Sequence, residues 1–194
     1  MKINQKLVQT ASDAIIPLLG FFLWNWSLYF ILLFYFIDLL GNEIIAHLKS
    51  KKICSFQHKP RVEWLKMGVF SAVSLVVLIA LIHFAMTFIV PSIDFWTEVK
   101  GFWNYEEMGI KQGYILVPLV LFVSFQNYKM TFLMQAKFRT TNVHQVWKSH
   151  LHSLFILIGF TGLALGISLF VSLPEMVFVL GIVAFSTLYK WRFV

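Results

Sequence analysis

Long apolar stretches alternate with short polar gaps along the whole chain of 194 residues. A bilayer core of about 30 Å is crossed by a helix of about 20 apolar residues, and the stretches have roughly this length. The pattern predicts an all-α fold, a single domain over residues 1–194 that forms a bundle of about six transmembrane helices. The predicted spans are 7–23, 27–48, 64–90, 108–128, 147–171 and 174–189, with an outer interfacial segment at 92–107.

The first two spans come from one apolar stretch that is too long for a single crossing. From Ala14 to Leu48 it has 35 residues, and a straight helix of that length would measure about 52 Å. Asn25 and Ser27 interrupt the stretch, so a corner is predicted there, with Ser27 capping the second helix. A competing interpretation lays the polar residues before Ala14 along the inner surface. In that interpretation, either the segment from Ala14 to Leu23 is re-entrant or the N-terminus lies outside.

Lysines and arginines fall in alternate gaps between the apolar stretches. Of the sixteen, only Lys100 and Lys111 lie in another gap, which they share with Asp94, Glu98, Glu106 and Glu107. Short loops rich in Lys and Arg stay on the cytoplasmic side of a membrane. The charge pattern therefore predicts that both termini are cytoplasmic.

The composition agrees with a membrane protein. A hydrophobic fraction of 59%, a mean hydropathy of +0.76 and 13% charged residues exclude an ordinary soluble domain. The net charge of +7 is assigned to contacts with anionic lipid and not with nucleic acid, because the basic residues flank apolar stretches. Cys54 is the single cysteine, which excludes an internal disulfide and suits a reducing compartment.

Asp38 is the first candidate for chemistry. It lies about 16 Å along the second span, near the bilayer midplane, where a charge costs about 2.5–3.5 kcal/mol. Asn42 follows one turn later on the same stripe. Asp38 is either a carboxylate that couples to protons or cations, or an acid whose hydrogen bond locks two helices together. A water-filled cavity beside it would favour the first interpretation, and a dry hydrogen bond to a neighbouring helix the second.

The histidines suggest hydrogen bonding more than metal binding. Glu43 and His47 form an i, i+4 pair that can bridge or reach lipid headgroups. His83 and His150 differ in depth by roughly 20 Å, so they cannot ligate one ion. A cytoplasmic cluster could be drawn from His47, His144, His150 and His152. Because His150 and His152 are two residues apart, they point in different directions, and we predict no metal and no cofactor.

Two further features concern helix packing. Asn127, near the inner end of the fourth span, is suited to an interhelical hydrogen bond. Gly159, Gly162 and Gly166 make the fifth span the best candidate for close packing, either inside the monomer or against a second copy.

Scattered residues over most of the chain carry a resemblance to a known family. They are Ile16 to Gly20, Trp26-Ser27, Tyr35 to Asp38, His83-Phe84 with Phe88, Ser124-Phe125 with Asn127, and Leu151-His152 with Ile156 to Gly159. On these residues the chain resembles a family of small six-span prokaryotic membrane proteins catalogued as a domain of unknown function. The resemblance supports the fold and marks Asp38, His83, Asn127 and His152, but it supplies no reaction. We expect the protein in a plasma (inner) membrane.

The chain departs from that family in the second span. The family carries a tryptophan and a Glu-Asn pair where this chain has Phe36, Asp38 and Leu39. This difference weakens any role carried over to Asp38.

Three functions are compatible with these observations. Because no catalytic signature occurs, we expect a non-catalytic accessory or scaffold subunit, in contact with the lipid bilayer and with other membrane subunits or a second copy. The alternative is a small proton- or cation-coupled transporter or channel that uses Asp38. A membrane enzyme or redox carrier that uses the histidines is the third.

Overall fold

The computed structural model describes residues 14–107 and 110–193, and nearly all of them are helical. A π-helical turn, Lys129–Leu133, and a 3-10 turn, Lys137–Arg139, connect the fifth helix to the sixth. A two-residue strand, Glu106–Glu107, pairs antiparallel with Ile110–Lys111. The α-helices are α1 (Ala14–Leu23), α2 (Leu28–Gln57), α3 (Val62–Ile89), α4 (Phe95–Asn104), α5 (Gln112–Tyr128), α6 (Val143–Phe170) and α7 (Glu175–Phe193).

Four helical segments are long and apolar enough to cross a membrane: α2, most of α3, α5 with its π-helical turn, and α6. Large apolar side chains remain exposed on them, such as Val76, Leu163 at 69% and Phe170 at 88%. Contiguous apolar surface of this kind is typical of contact with lipid or protein.

The all-α prediction is confirmed, whereas the count of six spans stays a prediction. The apolar parts of the first and last helices, Ala14–Leu23 and Glu175–Leu188, are shorter than the other four. Residues 7–13 of the first predicted span lie outside the described residues.

α2 lies at the centre of the bundle and contacts α3, α5, α6 and α7. Its first half belongs to the larger apolar core, where Leu28, Tyr29 and Ile31 are almost fully buried. Its second half belongs to a smaller core that contains Ile53 and Trp147. The most extensive helix pair is α3 with α6.

The corner between α1 and α2 lies where the polar residues predict it. Asn25 adopts the left-handed conformation, with φ of 50°. Ser27 caps α2, because its Oγ accepts a hydrogen bond of 3.0 Å from the backbone N–H of Phe30. The Trp26 ring lies against α1 at Gly20, where an added Cβ would come within 2.1 Å of the ring. This close approach requires glycine.

The helix that contains the second predicted span continues beyond the predicted end of that span. α2 continues to Gln57, nine residues beyond Leu48, and ends where His58 adopts a left-handed conformation. Lysines beyond the apolar stretch do not stop a helix, so the helix extends past the segment that hydropathy identifies. α3 ends at Ile89, shortly before Pro91, and Pro118 lies inside α5.

The predicted interfacial segment does contain a helix, α4. On its apolar face Phe102 is buried, and Phe95 and Val99 pack on the main core. Trp96 is largely exposed on the same helix. The face therefore serves mainly to close one end of the bundle.

The two basic gaps meet at one end of the bundle. The Gln57 side chain donates to the backbone O of Thr141 over 3.1 Å, and Lys59 Nζ donates to Asn142 Oδ1 over 3.5 Å. At the opposite end, Ser27 Oγ donates to Glu98 on α4. We call the end where the two basic gaps meet the basic end. The side of the membrane on which it lies stays a prediction.

Candidate functional site

Glu43 is a buried carboxylate that contacts side chains of three helices. We call Glu43 and its partners Ser71, His47 and His150 the Glu43 cluster. Glu43 on α2 has 8% exposure. Its Oε2 accepts from Ser71 Oγ on α3 over 2.7 Å and lies 2.6 Å from His150 Nε2 on α6. Its Oε1 lies 3.2 Å from His47 Nε2 on α2 itself. The cluster thus ties together the helices that form the centre of the bundle.

The protonation pattern follows from the donors available. A buried carboxylate requires hydrogen-bond donors, and an ionised carboxylate only accepts. Ser71 therefore donates, and His47 and His150 each carry a hydrogen on Nε2. Neutral imidazoles meet this requirement, because each ring can carry its single hydrogen on Nε2.

Aromatic rings and a glycine enclose the cluster. The His47 ring makes edge contacts with Trp64 and Trp147, at centroid distances of 5.7 and 4.9 Å. Across from it on α3 is Gly68, where an added Cβ would lie 2.4 Å from His47 Cε1. A larger residue at Gly68 would occupy the space of the imidazole.

Asp38 lies on the wall of a cavity of about 820 Å³ between α2, α3, α6 and α7. Asn42 Nδ2 donates to Asp38 Oδ2 over 3.4 Å, and both residues line this space. Most of the remaining wall is apolar. His150 also lines the cavity, so it connects the space beside Asp38 with the buried Glu43.

His83 belongs to a separate pair at the far end of α3. Its Nδ1 lies 2.8 Å from the backbone O of Ile79 and therefore donates. Its Nε2, 2.7 Å from the hydroxyl of Tyr29, then accepts. The ring is stacked on Phe36, with an interplanar angle of 4°. His83 thus joins α2 to α3 through hydrogen bonds.

The other predicted site residues lie apart from the Glu43 cluster. The side chains of Asn127 and His152 are exposed. Within the described ranges, no group of three or more His, Cys, Asp or Glu residues could hold a metal ion.

The three glycines of α6 make no close contact inside the described chain. An added Cβ at Gly159, Gly162 or Gly166 would meet no heavy atom of the described residues within 4 Å. Of the two alternatives for this face, packing inside the monomer is therefore not what the structure contains.

The sequence indicated the Glu43–His47 pair but not its partners. The contacts to Ser71 and His150 join residues 28 and 107 positions apart. The sequence named His150 and His47 as members of one possible cytoplasmic cluster, and in the structure both contact Glu43. Ser71 carried no signal, because a serine in an apolar helix commonly bonds its own backbone.

Comparisons with protein-family models, with curated proteins and with solved structures each found no match to the chain. The resemblance to the six-span family therefore stays a prediction.

Proposed function

We propose that the protein is a small membrane transporter or channel that carries protons by way of Asp38, alone or together with a coupled solute. The observation that supports it best is the position of Asp38 on the wall of the cavity of about 820 Å³. Ligand sites usually occupy about 300–1,000 Å³ and combine apolar walls with a few polar groups, as here. Ionisable groups within membrane segments commonly serve such pathways.

The membrane arrangement that we propose has six spans and both termini at the basic end. α7 has 19 residues from Glu175 to Phe193, which is about 28 Å of helix and close to a bilayer core. α1 has 10 described residues and would need the residues before Ala14 to complete a crossing. The shared end of the basic gaps supports this topology.

Two proton-binding positions would serve the coupling. Asp38 is in the wall of the cavity, and His150 lines the same space while it contacts Glu43. A proton that enters at His150 can be held against the Glu43 carboxylate, because opposite charges at 2.6 Å stabilise each other in a medium of low polarity. The cavity would then supply the path between this pair and Asp38.

Proton flux into proteoliposomes tests the proposal. The purified protein is reconstituted with the pH dye pyranine inside, and a potassium diffusion potential is applied with valinomycin. We expect acidification above that of empty liposomes, and we expect Asp38→Asn to abolish it. Glu106→Gln removes an exposed carboxylate outside the cavity and should leave the flux unchanged. Wild-type flux equal to that of empty liposomes, or full flux in Asp38→Asn, would reject the proposal.

A non-catalytic accessory or scaffold subunit is the second candidate, and the α6 glycines favour it. Gly159, Gly162 and Gly166 have open space beside them within the described chain, together with exposed Leu163 and Ile167. Small residues four apart let another membrane helix approach closely.

Substitution of one glycine separates this candidate from the first. Gly162→Leu should abolish recovery of a stoichiometric companion or second copy from native membranes and leave proton flux intact. Val76→Leu, at an exposed position of α3, is the matched control. Recovery of the chain alone from wild-type membranes would remove the scaffold function.

A further inference from the structure

Two lysines without a carboxylate partner stand at the basic end of the cavity. Lys49 on α2 is half-buried, and Lys137 lies in the 3-10 turn after α5. Both line the cavity. The salt bridges among the described residues are those of Glu43, so neither lysine is neutralised there.

The rest of the cavity wall becomes less polar with distance from these lysines. Gln145 and Ser149 on α6 add polar groups near the basic end, whereas the wall toward Ile89 and Ile167 is apolar. Asp38 is 11 residues from Lys49, or about 16 Å along α2, so its carboxylate does not lie beside the cationic pair. One end of the site thus fits an anion, and the remainder fits a hydrocarbon chain.

We infer that the cavity binds an anionic phospholipid from the leaflet at the basic end, with its headgroup on Lys49 and Lys137 and an acyl chain along the apolar wall. The inference rests on the proposed function in so far as this lipid is the solute that the cavity carries. Charge complementarity selects this occupant, because a headgroup of net negative charge neutralises the two ammonium groups, whereas the choline cation of a zwitterionic lipid would be repelled by them. A second protein helix would leave them unpaired unless it carried an acid at that depth.

Two variants separate cavity binding from general attraction of a basic surface. Lys49→Gln with Lys137→Gln removes the cationic pair, and Lys51→Gln with Lys66→Gln removes two exposed lysines that do not line the cavity. Gly181→Leu fills the cavity from α7, where an added Cβ meets nothing within 4 Å among the described residues, and it leaves every lysine in place. Monodisperse elution of each variant establishes that it is folded.

Native mass spectrometry of protein released from nanodiscs with equal phosphatidylglycerol and phosphatidylcholine measures the preference. We expect wild type to retain phosphatidylglycerol selectively. The cavity lysine pair should account for roughly a ten- to thirty-fold preference, since each lysine near anionic lipid contributes a factor of several. Gly181→Leu should lose retention of the lipid, and Lys51→Gln with Lys66→Gln should keep it.

Three results would overturn the inference: no lipid preference in wild type, an undiminished preference without Lys49 and Lys137, or full retention in Gly181→Leu. The last result would show that the lipid binds at the surface. Lipid binding is measured without a gradient, so its outcome is independent of the flux assay. Selective binding without flux would reject transport alone, and flux without lipid preference would reject this inference alone.

Discussion

Glu43 shows how a carboxylate is accommodated in an apolar bundle. Its two oxygens take all of their described hydrogen bonds from side chains: Ser71 on α3, His150 on α6 and His47 on α2. A charge that is buried without such donors would shift to its neutral form. Removal of Glu43 therefore leaves Ser71, His47 and His150 without this hydrogen-bond partner, and the cost falls on all three helices.

Substitution of Glu43 should lower the free energy of unfolding, and the decrease should be larger when more of its hydrogen bonds are lost. Glu43→Ala leaves His150 and Ser71 unpaired and should cost about 3–5 kcal/mol. Glu43→Gln keeps a polar group of the same size and should cost about 1–3 kcal/mol. Denaturant unfolding in mixed micelles measures both. Glu106→Gln, at an exposed position, should stay within about 0.5 kcal/mol, and an equally small effect of Glu43→Ala would contradict a structural role for the cluster.

Asp94 makes the N-terminus of α4 sensitive to pH. Hydrogen bonds from the hydroxyl and backbone of Thr97, and from the backbone of Trp96, hold the pKa of Asp94 below its ordinary value of 3.8. The carboxylate therefore stabilises α4 fully above that value. This contribution is lost as the pH falls through the lower pKa of the folded state.

Thr97→Val should raise the pKa of Asp94 toward its ordinary value, because the largest single cause of the shift is the Thr97 hydroxyl. The carboxyl chemical shift of Asp94, followed by NMR through an acid titration, reports it directly. Thr97→Ser keeps the hydroxyl and should titrate like wild type. The same titration curve for Thr97→Val and wild type would show that the hydroxyl has no effect.

At the scale of helices, the close approach of α2 and α3 depends on Gly68. Gly68→Ala should push the His47 ring away from Glu43, because an added Cβ would lie 2.4 Å from His47 Cε1. Overpacking of this kind costs about 1–3 kcal/mol in the free energy of unfolding. Nitrogen NMR of the His47 ring should also show loss of its hydrogen bond to Glu43.

Gly159→Ala is the matched control on α6. It places a methyl group where the described structure is open. Helix propensity alone should then raise the free energy of unfolding by about 0.5–1 kcal/mol. If Gly159→Ala destabilised the chain as much as Gly68→Ala, then replacement of any glycine within a helix, and not the contact with His47, would explain the two results.

Local signals in the sequence located the helices better than their faces. Asn25 and Ser27 predicted the corner before α2, and the third predicted span, 64–90, ends one residue beyond α3. The extension of α2 to Gln57 was missed, because hydropathy marks what lipid covers and not where helical hydrogen bonding ends. Spans that are apolar on every side do not reveal which face meets a neighbour, so the contacts of Ser71 and His150 with Glu43 could not be derived.

At the scale of the whole molecule, the charge asymmetry between the two ends predicts a topology that cysteine labelling can test. Cys54 is itself buried, so an exposed neighbour is the better reporter. In a Cys54→Ala background, Ser55→Cys lies at the basic end, and Lys100→Cys lies on α4 at the opposite end. A membrane-impermeant maleimide added to intact cells should modify Lys100→Cys alone. Inverted vesicles should give the reverse result. Modification of both from one side would overturn the proposed topology.

Under the proposed topology, the rise of α2 through the bundle gives Asp38 and Glu43 different electrical depths. With Leu28 at the outer edge of a core of about 30 Å, Asp38 lies about 15 Å inside and Glu43 about 22 Å. A proton from the basic end then crosses about a quarter of the field to reach Glu43 and about half to reach Asp38. At 100 mV these fractions correspond to about 0.6 and 1.1 kcal/mol. Membrane voltage would therefore alter the occupancy of Asp38 more than that of Glu43.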